Sequence, residues 1–229
     1  MKVTLLEHTP SPDDLVAQAA RLCYSALDIA SLRERLEGEK ARELVLKLLS
    51  LHHDSPLEHV SFTFGIEGVS RALSHQLVRH RLASYSQQSQ RYVKSNDFEF
   101  VTPPSIATNP SMAAVYREAM AQMRQAYALL LTTVPAEDAR YVLPNACATK
   151  LVATFNARSL YNFFNLRCCN RAQWEIRALA WAMLELVEEK APAVFSAAGP
   201  DCFSERGCGE GLMSCQSPPE RKVTKKWSK

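Results

Sequence analysis

RHRLASYSQQSQR, residues 79–91, is the stretch from which the rest of the chain is best read. It sets three cations side by side at Arg79, His80 and Arg81. Four hydroxyls follow at Ser84, Tyr85, Ser86 and Ser89, with amides at Gln87, Gln88 and Gln90, and Arg91 closes the run. No carboxylate interrupts it. A solvated loop ordinarily mixes both signs of charge, whereas this one offers only donors and positive charge, a surface suited to an anionic polar ligand such as a nucleotide. The glycines say how phosphates would have to be held. There are seven, and none lies between Gly68 and Gly199, so a Walker A loop is excluded and GxGxxG occurs nowhere. Side chains must then do the work, and the planar arginine fork matches phosphate oxygens.

Upstream, HVSFTFGIE (residues 59–67) alternates as a strand, with Val60, Phe62, Phe64 and Ile66 on one face. A helix is predicted from Val69 to His80 with Val69, Ala72, Leu73 and Leu77 as its apolar stripe, which places the RHR triplet at a helix C-terminus, followed by a long polar loop. Before these come a strand over MKVTLLEH, with Val3 and Leu5 on one face, and a helix start at Ser11-Pro12-Asp13-Asp14. A second helix, about Gly38 to Leu51, buries Ala41, Leu44, Val45, Leu48 and Leu51. HHDSPLEH (residues 52–59) gathers histidines and acids, but not at a standard zinc spacing such as HExxH. It reads as a turn with polar groups available to a ligand.

Downstream, Glu99–Val101 reads as a short strand. Asn109 caps and Pro110 opens a helix to about Leu131, with Met112, Val115, Tyr116, Ala119, Met120, Met123 and Tyr127 facing the core. Pro135 opens a short helix in which Arg140 stands beside Asp138, a surface ion pair on the plain reading. Lys150–Asn156 is a strand with Leu151, Ala153 and Phe155 on one side. NARSLYNFFNLR (residues 156–167) then puts two amides and two guanidiniums, Asn156, Asn162, Arg158 and Arg167, among aromatics, on a helix from about Ser159. A strongly apolar helix runs from Arg171 to Lys190.

At 229 residues, 47% hydrophobic and 22% charged, the chain can bury a sizeable core and is not of disordered composition. A net charge of +3 is too small to imply nucleic acid by itself. No stretch is long and apolar enough to span a bilayer, and the N-terminus does not read as an export signal. Seven cysteines, an odd number, suit a reduced cytoplasmic protein. From Pro192 the character changes. Cys202-x5-Cys208-x6-Cys215 is not a standard zinc spacing, so no metal is expected, and residues 199–229 read as a Gly/Cys/basic tail, partly ordered, ending in five cations between Arg221 and Lys229. Residues 1–198 form the one domain before it.

RHRx7S, here Arg79-His80-Arg81 to Ser89, resembles the signature of the flavin-dependent thymidylate synthases, the ThyX family. SPLEHVSFTF before it, SQRY at its end, and ARYVLP, NARSLYNFFNLR and AQWEI after it are similar to family segments in the expected order, over roughly Met1 to Phe195. The resemblance implies an α+β, ThyX-like fold, a mixed sheet packed with several long helices. It implies a homotetramer with FAD sites assembled from several subunits. It implies reductive methylation of dUMP to dTMP, with 5,10-methylenetetrahydrofolate as carbon donor and NADPH-reduced FAD as reductant.

Carried over by position, Arg167 is the catalytic residue, resembling the arginine that favours the N3-ionised uracil ring. Gln76, Leu77, Val78, Arg79, Gln87, Gln88, Ser89, Gln90, Arg91 and Arg140, with Arg167, correspond to the dUMP site. His53, Ser55, Arg79, His80, Arg81, Gln87, Asn156, Arg158 and Asn162 correspond to the FAD site. Ser89 has no base adjacent in sequence and is assigned to binding, and the cysteines are given no chemistry. Two departures stand out: Gln87 where some members carry an acid, and Arg171 where some carry histidine. The rival reading is an RNA- or DNA-binding module that uses the arginine-rich loop, the aromatics and the basic tail.

Overall fold

The computed structural model describes residues 1–94, 96–204 and 207–220, so the basic run 221–229 lies outside the described residues. Its elements are α+β. Strands β1 (Lys2–His8), β2 (Ser61–Ser70), β3 (Ala83–Gln87) and β4 (Ala148–Asn156) form a four-stranded antiparallel sheet in the order β1-β2-β4-β3. The helices are α1 (Pro12–Leu22), α2 (Ile29–Arg35), α3 (Glu39–Ser50), α4 (Arg71–Leu77), α5 (Pro104–Ala107), α6 (Pro110–Leu130), α7 (Ala136–Ala139), α8 (Ala157–Arg167) and α9 (Trp174–Lys190). Among the described residues, no helix is long and apolar enough to cross a membrane.

The chain divides into two compact units. One comprises residues 1–2, 65–79 and 85–152; the other comprises 3–64, 80–84 and 153–229. In the first, the Arg71 amide donates to the Cys147 carbonyl and the Gln88 amide to that of Lys150, both at 3.0 Å. One buried cluster of this unit is Phe98, Met120 and Cys147, flanked by Phe100, Tyr116, Leu143 and other half-buried apolar residues. Arg124 stitches α6 to this core by giving two N–H bonds to the Phe98 carbonyl, at 3.1 and 2.6 Å, with its guanidinium over the Phe98 and Phe100 rings.

In the second unit, Thr9 and Ser61 pair through the Thr9 amide and Ser61 carbonyl at 3.0 Å. Thr63 meets the Thr154 hydroxyl at 2.9 Å, and the Ala157 amide donates to the Val60 carbonyl at 2.9 Å. The alternation read in residues 59–67 is borne out: Val60, Phe62, Phe64 and Ile66 are all fully buried, as are Ala153 and, nearly, Leu151 and Phe155 of β4. Phe62, Phe155, Phe163, Phe164 and Phe195 form a chain of edge and tilted ring contacts. Asp13 is buried in α1, and its two oxygens accept from the amides of Ala193 and Val194 at 3.1 and 3.0 Å.

The structure differs from expectation at several points, the first being the sheet, which is antiparallel and not mixed. Ser11 makes no side-chain cap; it sits in the left-handed region at φ 44°, and the first-turn acids instead reach other elements, Asp14 accepting from the Gly38 amide. Val69 belongs to β2, not to the following helix, which runs only from Arg71 to Leu77. Ser70 is the cap, its hydroxyl accepting from the Leu73 amide. The polar loop after it contains β3, whose ASYSQ alternation is polar on both faces and so gave no hydrophobic period. Helix α2 was not foreseen. Leu51, Met112 and Val115, assigned to the core, are 53%, 49% and 63% exposed. Of Glu99–Val101 only Phe100 bridges, to Cys147. Helix α8 starts earlier than Ser159, capped by Asn156, and α9 starts at Trp174, where the Gln173 side chain accepts from the Glu175 and Ile176 amides.

Candidate functional site

In the first unit, α4 and the strand that follows it bring much of the expected nucleotide set onto connected backbone. Leu77 is fully buried and its carbonyl accepts from the Tyr85 hydroxyl at 2.9 Å; burial pushes the Tyr85 phenol well up, so it stays protonated and holds this turn. Any contact Leu77 offers a ligand is through its backbone. Val78 and Arg79 follow at the exposed end, and the Arg79 side chain has no hydrogen bond or ion pair among the described residues.

Gln87 donates to the Thr149 hydroxyl at 3.1 Å, Gln88 is fixed to β4 through its amide, and Gln90 donates to the Cys147 sulfur at 3.7 Å. Arg91 is held by Glu137, with its Nε at 3.0 Å and Nη2 at 2.8 Å from one carboxylate oxygen. The Ser89 hydroxyl oxygen accepts the Arg91 amide at 3.2 Å, and among the described residues no general base is bonded to it, which suits binding rather than nucleophilic attack. Arg140 donates through Nε to the Glu137 carbonyl at 3.0 Å; the ion pair expected with Asp138 is not formed. Arg71 lies within electrostatic reach of Arg140, and burial is the main cause that lowers its pKa.

In the second unit, Ser55 opens a 3-10 turn, Ser55–His59, preceded by exposed His53. From α8, Asn162 and Arg158 point to exposed positions, with Arg158 paired to Glu58 of that turn. Asn156 spends its carbonyl oxygen on the Ser159 amide at 2.8 Å, which leaves its NH2 group to donate. Arg81 and Asn162 carry no side-chain partner among the described residues.

The closest pairing of site residues is Arg167 with His80. The Arg167 Nε donates to His80 Nε2 at 3.1 Å, and the imidazole stands edge-on to Phe163 at 5.0 Å between ring centroids. Burial, and secondarily the Arg167 charge, push the His80 pKa down to about 4. The ring is therefore neutral near pH 7 and can accept that hydrogen bond. Burial lowers the Arg167 pKa, but a guanidinium remains charged at neutral pH. Its terminal nitrogens make no hydrogen bond among the described residues.

Glu58, Glu137 and Arg71 escaped sequence reasoning. The two acids lie in SPLEH and PAEDAR, where only the fold shows that each neutralises a site arginine. Cys168 follows Arg167 but is fully buried, and burial pushes its thiol far up, away from the reactive thiolate.

The family described as thymidylate synthase complementing protein matches residues 4–193. The chain is 55% identical over 225 residues, 97% of each protein, to a flavin-dependent thymidylate synthase of Geobacter sulfurreducens. It is 48% identical to the one from Clostridium tetani, over 97% of this chain and 96% of the other. With that from Sulfolobus acidocaldarius it shares 43% identity over 89% of this chain and 78% of the other.

Proposed function

The chain belongs to the flavin-dependent thymidylate synthase family, and from that membership we propose how its two sets of donors divide the reaction. It is an enzyme of this kind; the nucleic-acid-binding reading has no support. Arg79, Arg91 and Arg140 supply the cations that take the phosphate and sugar of dUMP. Ser55, His80, Arg81, Arg158 and Asn162, with His53, Asn156, Arg79 and Gln87, hold FAD, and Arg167 takes the uracil ring. Bound FAD, reduced by NADPH, supplies the reducing equivalent for conversion of dUMP to dTMP, with 5,10-methylenetetrahydrofolate as carbon donor.

The residues fit such ligands. Arg79, Arg81 and Asn162 are exposed donors without side-chain partners among the described residues, as a side-chain-based phosphate and ribose site requires. The observation that carries the pyrimidine assignment is the His80–Arg167 pair. A neutral imidazole takes one N–H, fixes the fork, and leaves an undiminished positive charge. A ring that becomes anionic in the transition state is stabilised by a charge already in place. Arg91 and Arg158 are each pre-neutralised by one carboxylate, so an incoming phosphate competes with Glu137 or Glu58 for them.

The enzyme has the ThyX-like fold and works as a homotetramer in the cytoplasm. Supporting assembly, α6 leaves Met112, Val115 and Leu129 exposed at 49%, 63% and 71%, apolar surface that a partner subunit would cover. The purified protein should be yellow and show a flavin spectrum that NADPH bleaches anaerobically. It should form dTMP from dUMP only with methylenetetrahydrofolate present. A colourless protein whose nucleic-acid binding is independent of FAD and falls steeply with salt would contradict this.

A further inference from the structure

Four of the seven cysteines line one cavity of about 300 Å3 in the second unit. Cys169 stands in the turn after α8, Cys202 in the 3-10 turn Asp201–Phe203, and Cys208 and Cys215 in the segment beyond it. The Cys202 thiol lies within electrostatic reach of the other three. In sequence the three tail cysteines have no standard metal spacing, and the fourth is invisible because the whole of α9 separates it from them.

The tail that carries them is held, yet it has almost no core. Asn165 and Asp201 exchange two hydrogen bonds, at 2.6 and 3.1 Å. The Asn170 side chain donates to the Ser217 carbonyl at 2.6 Å, and Arg171 pairs with Glu210. Meanwhile Leu212 is fully exposed and Met213 is 64% exposed. Gly207, Gly211 and Gln216 have left-handed φ, and a Cβ at Gly209 would come within 2.8 Å of the Asp201 carboxylate, which would have to shift. A short segment that buries so little apolar surface needs a staple of another kind, a disulfide or a metal.

We propose that Cys169, Cys202, Cys208 and Cys215 form a structural site for a soft divalent cation, zinc above all, that pins the tail onto the α8–α9 turn. Four thiols around one cavity are the full ligand set of a closed tetrahedral zinc centre. Among the described residues no group of three potential ligands is already arranged to hold a metal ion. Loading therefore requires the thiols to turn inward from the cavity wall, releasing their protons to solvent as they bind the cation. Two disulfides would satisfy the same cysteines but would need an oxidant that a reducing interior does not supply.

The test is independent of the enzymatic reading. Protein purified without chelator is assayed for zinc by elemental mass spectrometry, and metal-stripped protein is titrated with zinc and with cobalt(II). Expected are one zinc per chain and, with cobalt, the intense visible bands of a tetrahedral tetrathiolate. Cys208→Ser and Cys215→Ser, both at exposed positions, should lose the zinc and the spectrum, whereas Cys23→Ser should keep both. Absence of zinc together with no uptake of zinc or cobalt overturns the proposal. So does a disulfide among these four in protein kept reduced, or full zinc retention by both tail variants.

Discussion

Arg167 gives one N–H to His80, and its terminal nitrogens make no bond among the described residues; that geometry makes it the most informative residue to change. Lysine keeps the charge but not the fork, so Arg167→Lys and Arg167→Ala should both retain FAD and NADPH oxidation. Both should lose at least about 2–3 kcal/mol of transition-state stabilisation in kcat/KM for dUMP. Near-normal turnover in Arg167→Ala would move the pyrimidine to Arg158 or Arg140. His80 makes a second prediction, in pH. Its pKa falls from the ordinary 6.5 to about 4 on folding, so below pH 6.5 the unfolded chain takes up a proton that the folded one refuses. Its contribution is complete above pH 6.5 and is lost as the pH falls toward 4. For a half-buried ring the loss should not exceed about 2 kcal/mol. Urea unfolding across that range should show the slope in the parent protein and a shallower one in His80→Gln, whose side-chain oxygen can still accept from Arg167.

At the scale of elements, buried groups of the sheet and of α1 give the clearest stability predictions. Phe64→Ala removes a fully buried ring of β2 and should cost about 3–5 kcal/mol by chemical denaturation. Asp13→Ala strands the amides of Ala193 and Val194, at about 1–3 kcal/mol for each orphaned donor, and Asp13→Asn, which still accepts, should cost less. Glu58→Gln, breaking a pair in which both side chains are about half exposed, should change stability by less than about 1 kcal/mol. These elements also show what the sequence could reveal. The alternation in residues 59–67 and the Asn109-Pro110 helix start are local signals strong enough to survive folding. Strand β3 was hidden because ASYSQ has no apolar face, and α2 because its seven residues bury only Leu32. The site arginines were legible as residue types. Their partners Glu58 and Glu137 were not, since each pairing is made by the fold across a long stretch of chain. The convergence of Cys169 with the tail thiols is of the same kind.

For the whole molecule, the account rests on two phosphorylated ligands held without a glycine-rich loop, by donors spread over several segments. FAD should consequently be retained only by the assembled oligomer, and a monomer in sedimentation that keeps stoichiometric FAD would contradict this. The central claim is that the chain methylates dUMP at C5 with reduced flavin, and the most direct measurement is tritium release from 5-tritiated dUMP. Reactions contain FAD, NADPH and methylenetetrahydrofolate, with each omitted in turn. The account predicts tritium in water matched by dTMP in the complete reaction, loss of dTMP when any one component is omitted from flavin-stripped protein, and a large loss of both signals in Arg167→Ala. A complete reaction that yields neither labelled water nor dTMP from flavin-loaded, oligomeric protein would contradict it.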